Sequence, residues 1–215
     1  ASDRLPDPSL YRNDVYAGAC AHLLATLRET PVDWVGTSMG GIIGMILAAM
    51  PNTPIRRLVI NDVGPFIPTA SLSRIGEYLG RDWHFPDLAA AEAHTRKTYA
   101  PFGTLTDAQW RQLTETSVRP HPDGGYRLHY DPAIAEPFRT PPQDTEFWPL
   151  WEQITATTLV LRGAESDLLL PDTASRMAEK PGVRVETISG CGHAPALLDP
   201  SQTGLVAAFI EEGHA

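Results

Sequence analysis

The chain has 215 residues, of which 42% are hydrophobic, enough to bury a sizeable core in one large domain. Its 17 Lys and Arg stand against 26 Asp and Glu, a formal charge of -9 with no basic stripe to neutralise phosphates, which excludes nucleic acid as the expected partner. No run approaches the roughly 18 apolar residues of a membrane span, no signal-peptide pattern is present, and the two cysteines, Cys20 and Cys191, lack metal-ligand spacing. Reduced thiols in a cytoplasmic protein are the expectation.

Residues 1–9, rich in proline and aspartate, read as a loop. Val15, Ala19, Leu23 and Leu27 recur every four residues with Leu24 beside them, which predicts a helix over about 13–28 with these side chains on its buried stripe; Thr30-Pro31 ends it. Residues 32–50, VDWVGTSMGGIIGMILAAM, then read as a buried strand, a sharp turn and a helix too apolar to be exposed. Ser38 sits on that turn. A nucleophile placed there adopts a strained backbone, and Gly36 and Gly40, two residues to either side, leave room for it. The helix start adds partial positive charge, and the Met39 N–H is the candidate oxyanion donor.

Residues 51–54 (PNTP) force a turn, and 56–60 (RRLVI) predict the next buried strand, leading into Asn61-Asp62-Val63-Gly64-Pro65. Strand, helix, strand implies a right-handed parallel crossover. Residues 66–146 change character: amphipathic helices are predicted at 71–79, 88–99 and 107–118, the last capped by Thr106 with Gln109 as its capping-box partner. A proline-rich stretch over 120–142, with Asp123-Gly124-Gly125 as a turn signal, predicts an irregular arm or short hairpin. The block reads as a helical lid inserted into an α/β core formed by 1–65 and 147–215. In that core, 147–154 predict a short helix, 157–161 (TTLVL) a strand, 171–180 a helix, 183–188 a strand and 205–210 part of a closing helix, so about four strands in all.

Loops at the carboxyl ends of parallel strands carry the chemistry of open α/β sheets. Ser38, Asp167 and His193 each follow a predicted strand, in the order nucleophile, acid, base. His193 has the ordinary pKa range of a base for the serine hydroxyl, and Asp167 is the preferred acid to fix the imidazole. Asp62, just past its own strand, is the alternative acid. The other histidines share no ligand spacing; His121 and His129 lie in the irregular arm, where a metal pair is conceivable, but no metal and no cofactor is expected. Trp148 and Trp151 are candidates to line an acyl pocket where the inserted block rejoins the core; packing between the two would account for them equally.

At these residues the chain resembles the α/β-hydrolase superfamily, in particular its lidded esterase-like members. GTSMGG at 36–41 resembles the nucleophile motif, LVLRGAESD at 159–167 the acid-strand motif, and GCGHAP at 190–195 the histidine motif. The resemblance implies a cofactor-free serine hydrolase acting on small carboxylic esters or lactones. Carbon–carbon bond hydrolases, perhydrolases and non-catalytic binding descendants are the alternatives it brings with it. Members of the family carry several strands before the nucleophile strand, whereas 31 residues precede Val32 here, and Ala1-Ser2-Asp3 resembles the tail of the family's Gly-x-Gly-x-Ser-Asp turn. The expectation is an N-terminal segment of the same protein that supplies those strands and a second oxyanion donor.

Overall fold

A computed structural model describes residues 3–27 and 31–212. Readings that fall partly outside them are the loop over 1–9 with its turn at Ala1-Ser2-Asp3, the end of the helix at 28, and the helix stop at Thr30-Pro31. Helix α1 (Asn13–Thr26) packs on the core through Tyr16, Ala17, Cys20, Ala21 and Leu24. The predicted stripe is therefore rotated. Leu23 and Leu27 are exposed, and the small residues Ala17 and Ala21 face inward, where short side chains let α1 approach the helix beneath it. Strand β1 (Val32–Thr37) leads into that helix, α2 (Met39–Ala48), and β2 (Ile55–Asn61) follows. Trp34 locks the unit by donating its indole N–H to the Gly40 carbonyl at 3.0 Å.

The chain leaves the core at β3 (Phe66–Ile67) and continues through α3 (Thr69–Tyr78), β4 (His84–Phe85), α4 (Leu88–Thr98) and α5 (Asp107–Ser117). The capping box at the start of α5 is formed as expected from Thr106 and Gln109. Then come β5 (Val118–Pro120), β6 (Tyr126–Leu128), a 3-10 turn at Pro132–Phe138, and β7 (Thr145–Glu146). Strands β3 and β7 pair antiparallel, Phe66 with Glu146 and Ile67 with Thr145, so the segment departs and returns at one point. The segment is not purely helical. A small sheet of order β4-β6-β5 crosses it, with the Asp123-Gly124-Gly125 turn joining β5 to β6.

The core resumes with α6 (Trp148–Gln153), β8 (Thr157–Gly163), α7 (Pro171–Ala178), β9 (Val183–Ile188) and α8 (Pro200–Glu211). The main sheet is parallel throughout, in the order β1-β2-β8-β9. Leu58, Ile60 and Val160 face α2, α6 and α7, while Val59, Leu159 and Leu161 face Phe209 of α8, so the inner strands are apolar on both sides. Strand β1 lies at the sheet's edge instead of in its interior, and Val35 is 45% exposed there. Because all four strands run the same way, their carboxyl ends form one rim.

Candidate active site

The rim begins with a backbone constraint. Ser38 has φ 51° and ψ -117°, a region that non-glycine residues rarely occupy and that costs of order 1–3 kcal/mol. Its N–H is held by the Asn61 carbonyl at 2.9 Å. A Cβ on Gly36 would stand 2.1 Å from the Gly40 oxygen, so glycine is obligatory there. Gly40 is different, since a Cβ would meet nothing within 4 Å; the second crowded position is Gly41, where it would press on Val63 and the Gly36 carbonyl. Met39 opens α2, so its N–H is among those with no acceptor inside the helix.

Register puts Asp62 beside Ser38. Thr37 pairs with Asn61 across β1 and β2, so Ser38 and Asp62 are the next residues on neighbouring strands. Asp62 also adopts positive φ, 58°, and is fully buried. Its Oδ1 accepts the Gly163 N–H at 2.7 Å, and its Oδ2 accepts the Ser166 hydroxyl at 2.6 Å. Ser166 in turn receives the N–H groups of Leu168 and Leu169, which folds the loop after β8 around the carboxylate.

His193 completes the row. Its Nδ1 lies 2.8 Å from Asp62 Oδ2 and its Nε2 lies 2.9 Å from Ser38 Oγ. To reach them from the end of β9, the loop carrying it crosses the end of β8. Gly163 permits the crossing, because a Cβ there would fall 2.2 Å from the Gly192 oxygen. The Gly192 N–H is tied to the Pro101 carbonyl at 2.7 Å, and the Cys191 carbonyl takes the Glu165 N–H at 2.9 Å. Burial pushes the Cys191 thiol's pKa up, and the negative charges of Asp62 and Glu165 add to the effect.

Asp167, the acid preferred from the sequence, does not meet His193. Its carboxylate is taken by Arg74 of α3, with Nε 2.6 Å and Nη2 2.8 Å away, and its backbone carbonyl accepts the Ser71 hydroxyl at 2.6 Å. The loop after β8 turns this side chain outward toward the inserted segment, while Ser166, one residue earlier, points inward to Asp62. The structure thus brings Ser38 and His193 together with Asp62. The signal in the sequence was adjacency: Asp62 directly follows the strand that the short crossover pairs with the nucleophile strand.

A cavity of about 920 Å³ opens on Ser38 and Met39. Ile42, Val63, Leu72, Ile75, Phe138 and Phe147 give it apolar walls, drawn from both the core and the inserted segment. Tyr16 also lines it, with its hydroxyl buried without a partner and its pKa raised by burial to about 12. Trp148 and Trp151 are not among its lining residues. Trp151 is 1% exposed within the core, and Trp148 lies under the Arg176 guanidinium, 3.6 Å from its ring centre. Both serve packing, and Phe147, one position earlier, faces the cavity instead.

Among the described residues no helix is long and apolar enough to cross a membrane. A family model described as the alpha/beta hydrolase family matches residues 2–208. A 3-hydroxybutyrate-oligomer hydrolase from Cupriavidus necator is 39% identical over 97% of the chain and 75% of its own length. A 2-(acetamidomethylene)succinate hydrolase from Mesorhizobium japonicum is 26% identical over 92% of the chain and 70% of its own length. Among solved structures, an alpha/beta hydrolase from Novosphingobium aromaticivorans superposes with a TM-score of 0.88 at 33% identity, over 98% of the chain and 75% of that protein.

Proposed function

The chain belongs to the alpha/beta hydrolase family, and within it we propose a serine ester hydrolase that works through an acyl-enzyme, with Ser38 as nucleophile, His193 as general base and Asp62 as the acid. The carrying observation is the unbroken row from Ser38 Oγ to His193 Nε2 at 2.9 Å and from His193 Nδ1 to Asp62 Oδ2 at 2.8 Å. Ser38 Oγ attacks the ester carbonyl as its proton passes to Nε2. Asp62 holds the imidazole in the tautomer with Nδ1–H and stabilises the imidazolium. Negative charge on the carbonyl oxygen is met by the Met39 N–H at the start of α2. The imidazolium then protonates the leaving alcohol, and water activated by the same His193 releases the acid.

The substrates are small carboxylic esters or lactones, and short hydroxyacyl ester oligomers are the favoured class. The Cupriavidus necator relative's name supports that choice, as does an apolar cavity with room for more than one small acyl unit. Among the described residues Arg12 is the one cation lining the cavity, and it is paired with Asp14 at 2.9 Å, while Asp144 and Glu146 line the same space, so a doubly anionic substrate is poorly matched. The inserted segment acts as the lid whose side chains set chain length. Incubation with a fluorophosphonate probe, followed by peptide mapping, is expected to mark Ser38, and the protein should cleave 3-hydroxybutyrate dimers and 4-nitrophenyl butyrate. Folded protein that neither labels nor cleaves any member of an ester panel would overturn the reading, and turnover confined to a dienoate panel would move it to carbon–carbon bond hydrolysis.

A further inference from the structure

Asn61 ends β2, is fully buried, and bonds to both the nucleophile turn and the histidine loop. Its Nδ2 donates to Thr37 Oγ1 at 3.0 Å, one residue before the nucleophile, and to the Pro195 carbonyl at 2.8 Å, two residues after His193. Its own backbone carbonyl receives the Ser38 N–H at 2.9 Å. One residue therefore ties the nucleophile turn, the acid-bearing strand end and the histidine loop. Its other side-chain atom, Oδ1, is buried with no partner. An orphaned acceptor destabilises a fold, so for stability alone an apolar side chain of this size would serve as well or better. What the carboxamide contributes is the pair of N–H bonds.

Residues 189–199 run from the end of β9 back over β8 to reach β2 and β1. Upstream of His193 the loop is pinned at Cys191 and Gly192, whereas downstream the Asn61 bond to Pro195 is the nearest anchor, ahead of Leu197, whose N–H reaches Gln202. We propose that Asn61 is a positioning residue that sets the distance between the Ser38 hydroxyl and the His193 imidazole by clamping Thr37 and Pro195 to a single carboxamide. It touches neither substrate nor the reacting atoms. This inference rests on the reading of Ser38 and His193 as nucleophile and base, and it adds a determinant of their rate.

The test is the second-order rate of fluorophosphonate labelling at Ser38, counted per labelled site, together with kcat and KM for 4-nitrophenyl butyrate. Asn61→Ala is expected to slow labelling and kcat by about 100-fold, the scale of an ångström-level misplacement of reacting groups, with KM nearly unchanged. A purely structural role would instead lower the labelled fraction or the melting temperature and leave the rate per labelled site as in the wild type; that result overturns the proposal. Since a buried cavity can prevent folding, Thr37→Val, a change of equal size at an exposed position, provides the second variant. It removes one of the two acceptors and is expected to slow labelling severalfold. Labelling of folded Thr37→Val within about twofold of wild type would overturn the proposal even if Asn61→Ala does not fold. Wild-type protein that fails to label reports against the nucleophile assignment itself, which separates the two failures.

Discussion

Ser166 and His193 share one oxygen of Asp62: the serine hydroxyl lies 2.6 Å and the imidazole Nδ1 2.8 Å from Oδ2, inside a site where the carboxylate has no exposed surface. Two donors converging on one buried oxygen, with the Gly163 N–H on the other, fix the carboxylate plane before any substrate arrives. Asp62→Asn is expected to lower kcat by about 10,000-fold while the fold persists, the effect of leaving a catalytic histidine in the wrong tautomer. Asp167→Asn is expected to cost less than about tenfold, because its carboxylate bonds Arg74 and lies apart from the row. Steady-state kinetics on both variants decide which aspartate serves His193.

The pair of Arg74 and Asp167 joins the inserted segment to the core with both side chains partly exposed, 37% and 48%. Solvent screening keeps such a pair to about 1 kcal/mol or less. Urea unfolding of Arg74→Ala, Asp167→Ala and the double variant should therefore give small and non-additive losses, the double no less stable than the worse single variant by more than a few tenths of a kcal/mol.

The two glycines flanking Ser38 differ in what surrounds them. Gly36→Ala would force a methyl group to within 2.1 Å of the Gly40 carbonyl and is expected to destabilise the protein by more than about 3 kcal/mol or prevent folding. Gly40→Ala meets no atom within 4 Å and gains the helix propensity of alanine, worth up to about 1 kcal/mol. Thermal melts of the two variants should differ sharply and in that order.

His94 packs against Trp83 and Phe85, with ring centres 4.4 Å and 5.1 Å away. Burial holds its pKa below the ordinary histidine value, and the Lys97 charge lowers it further. The unfolded chain then binds the proton more readily than the folded one, so stability rises with pH through this window and falls as pH drops from about 6.5 toward the lowered value. Urea midpoints followed by tryptophan fluorescence should decline on acidification over that range. In His94→Leu this part of the decline should disappear.

The parallel core was legible because its signals are local: three largely apolar segments and one half-alternating segment at 183–188, each followed by a turn or a helix, and a serine framed by glycine. Which aspartate faces His193 was not settled by such signals. Asp62 and Asp167 both follow strands, and the choice between them depends on which side chain turns inward after a tight loop, a direction that composition does not encode. Sheet order would have favoured Asp62, since Thr37 and Asn61 pair directly. The sequence leaves open an irregular arm or a short hairpin at the Asp123-Gly124-Gly125 turn, and β5 and β6 form the hairpin, whereas β4 carries no signal because a strand of two residues has no periodicity. The buried face of α1 is rotated from the leucine stripe because Ala17 and Ala21, with their short side chains, allow closer packing than Leu23 and Leu27 would.

The crossing of the histidine loop over the end of β8 has a consequence for how the protein matures. The nucleophile turn needs only the neighbouring strand and helix, yet its hydroxyl finds the imidazole 155 positions further along the polymer. Closing so long a span costs more chain entropy than forming the local turn, so it is expected to come later in assembly. Refolding molecules should accordingly regain helical signal well before they regain turnover, so the lag between the two reports on the last strand joining the sheet.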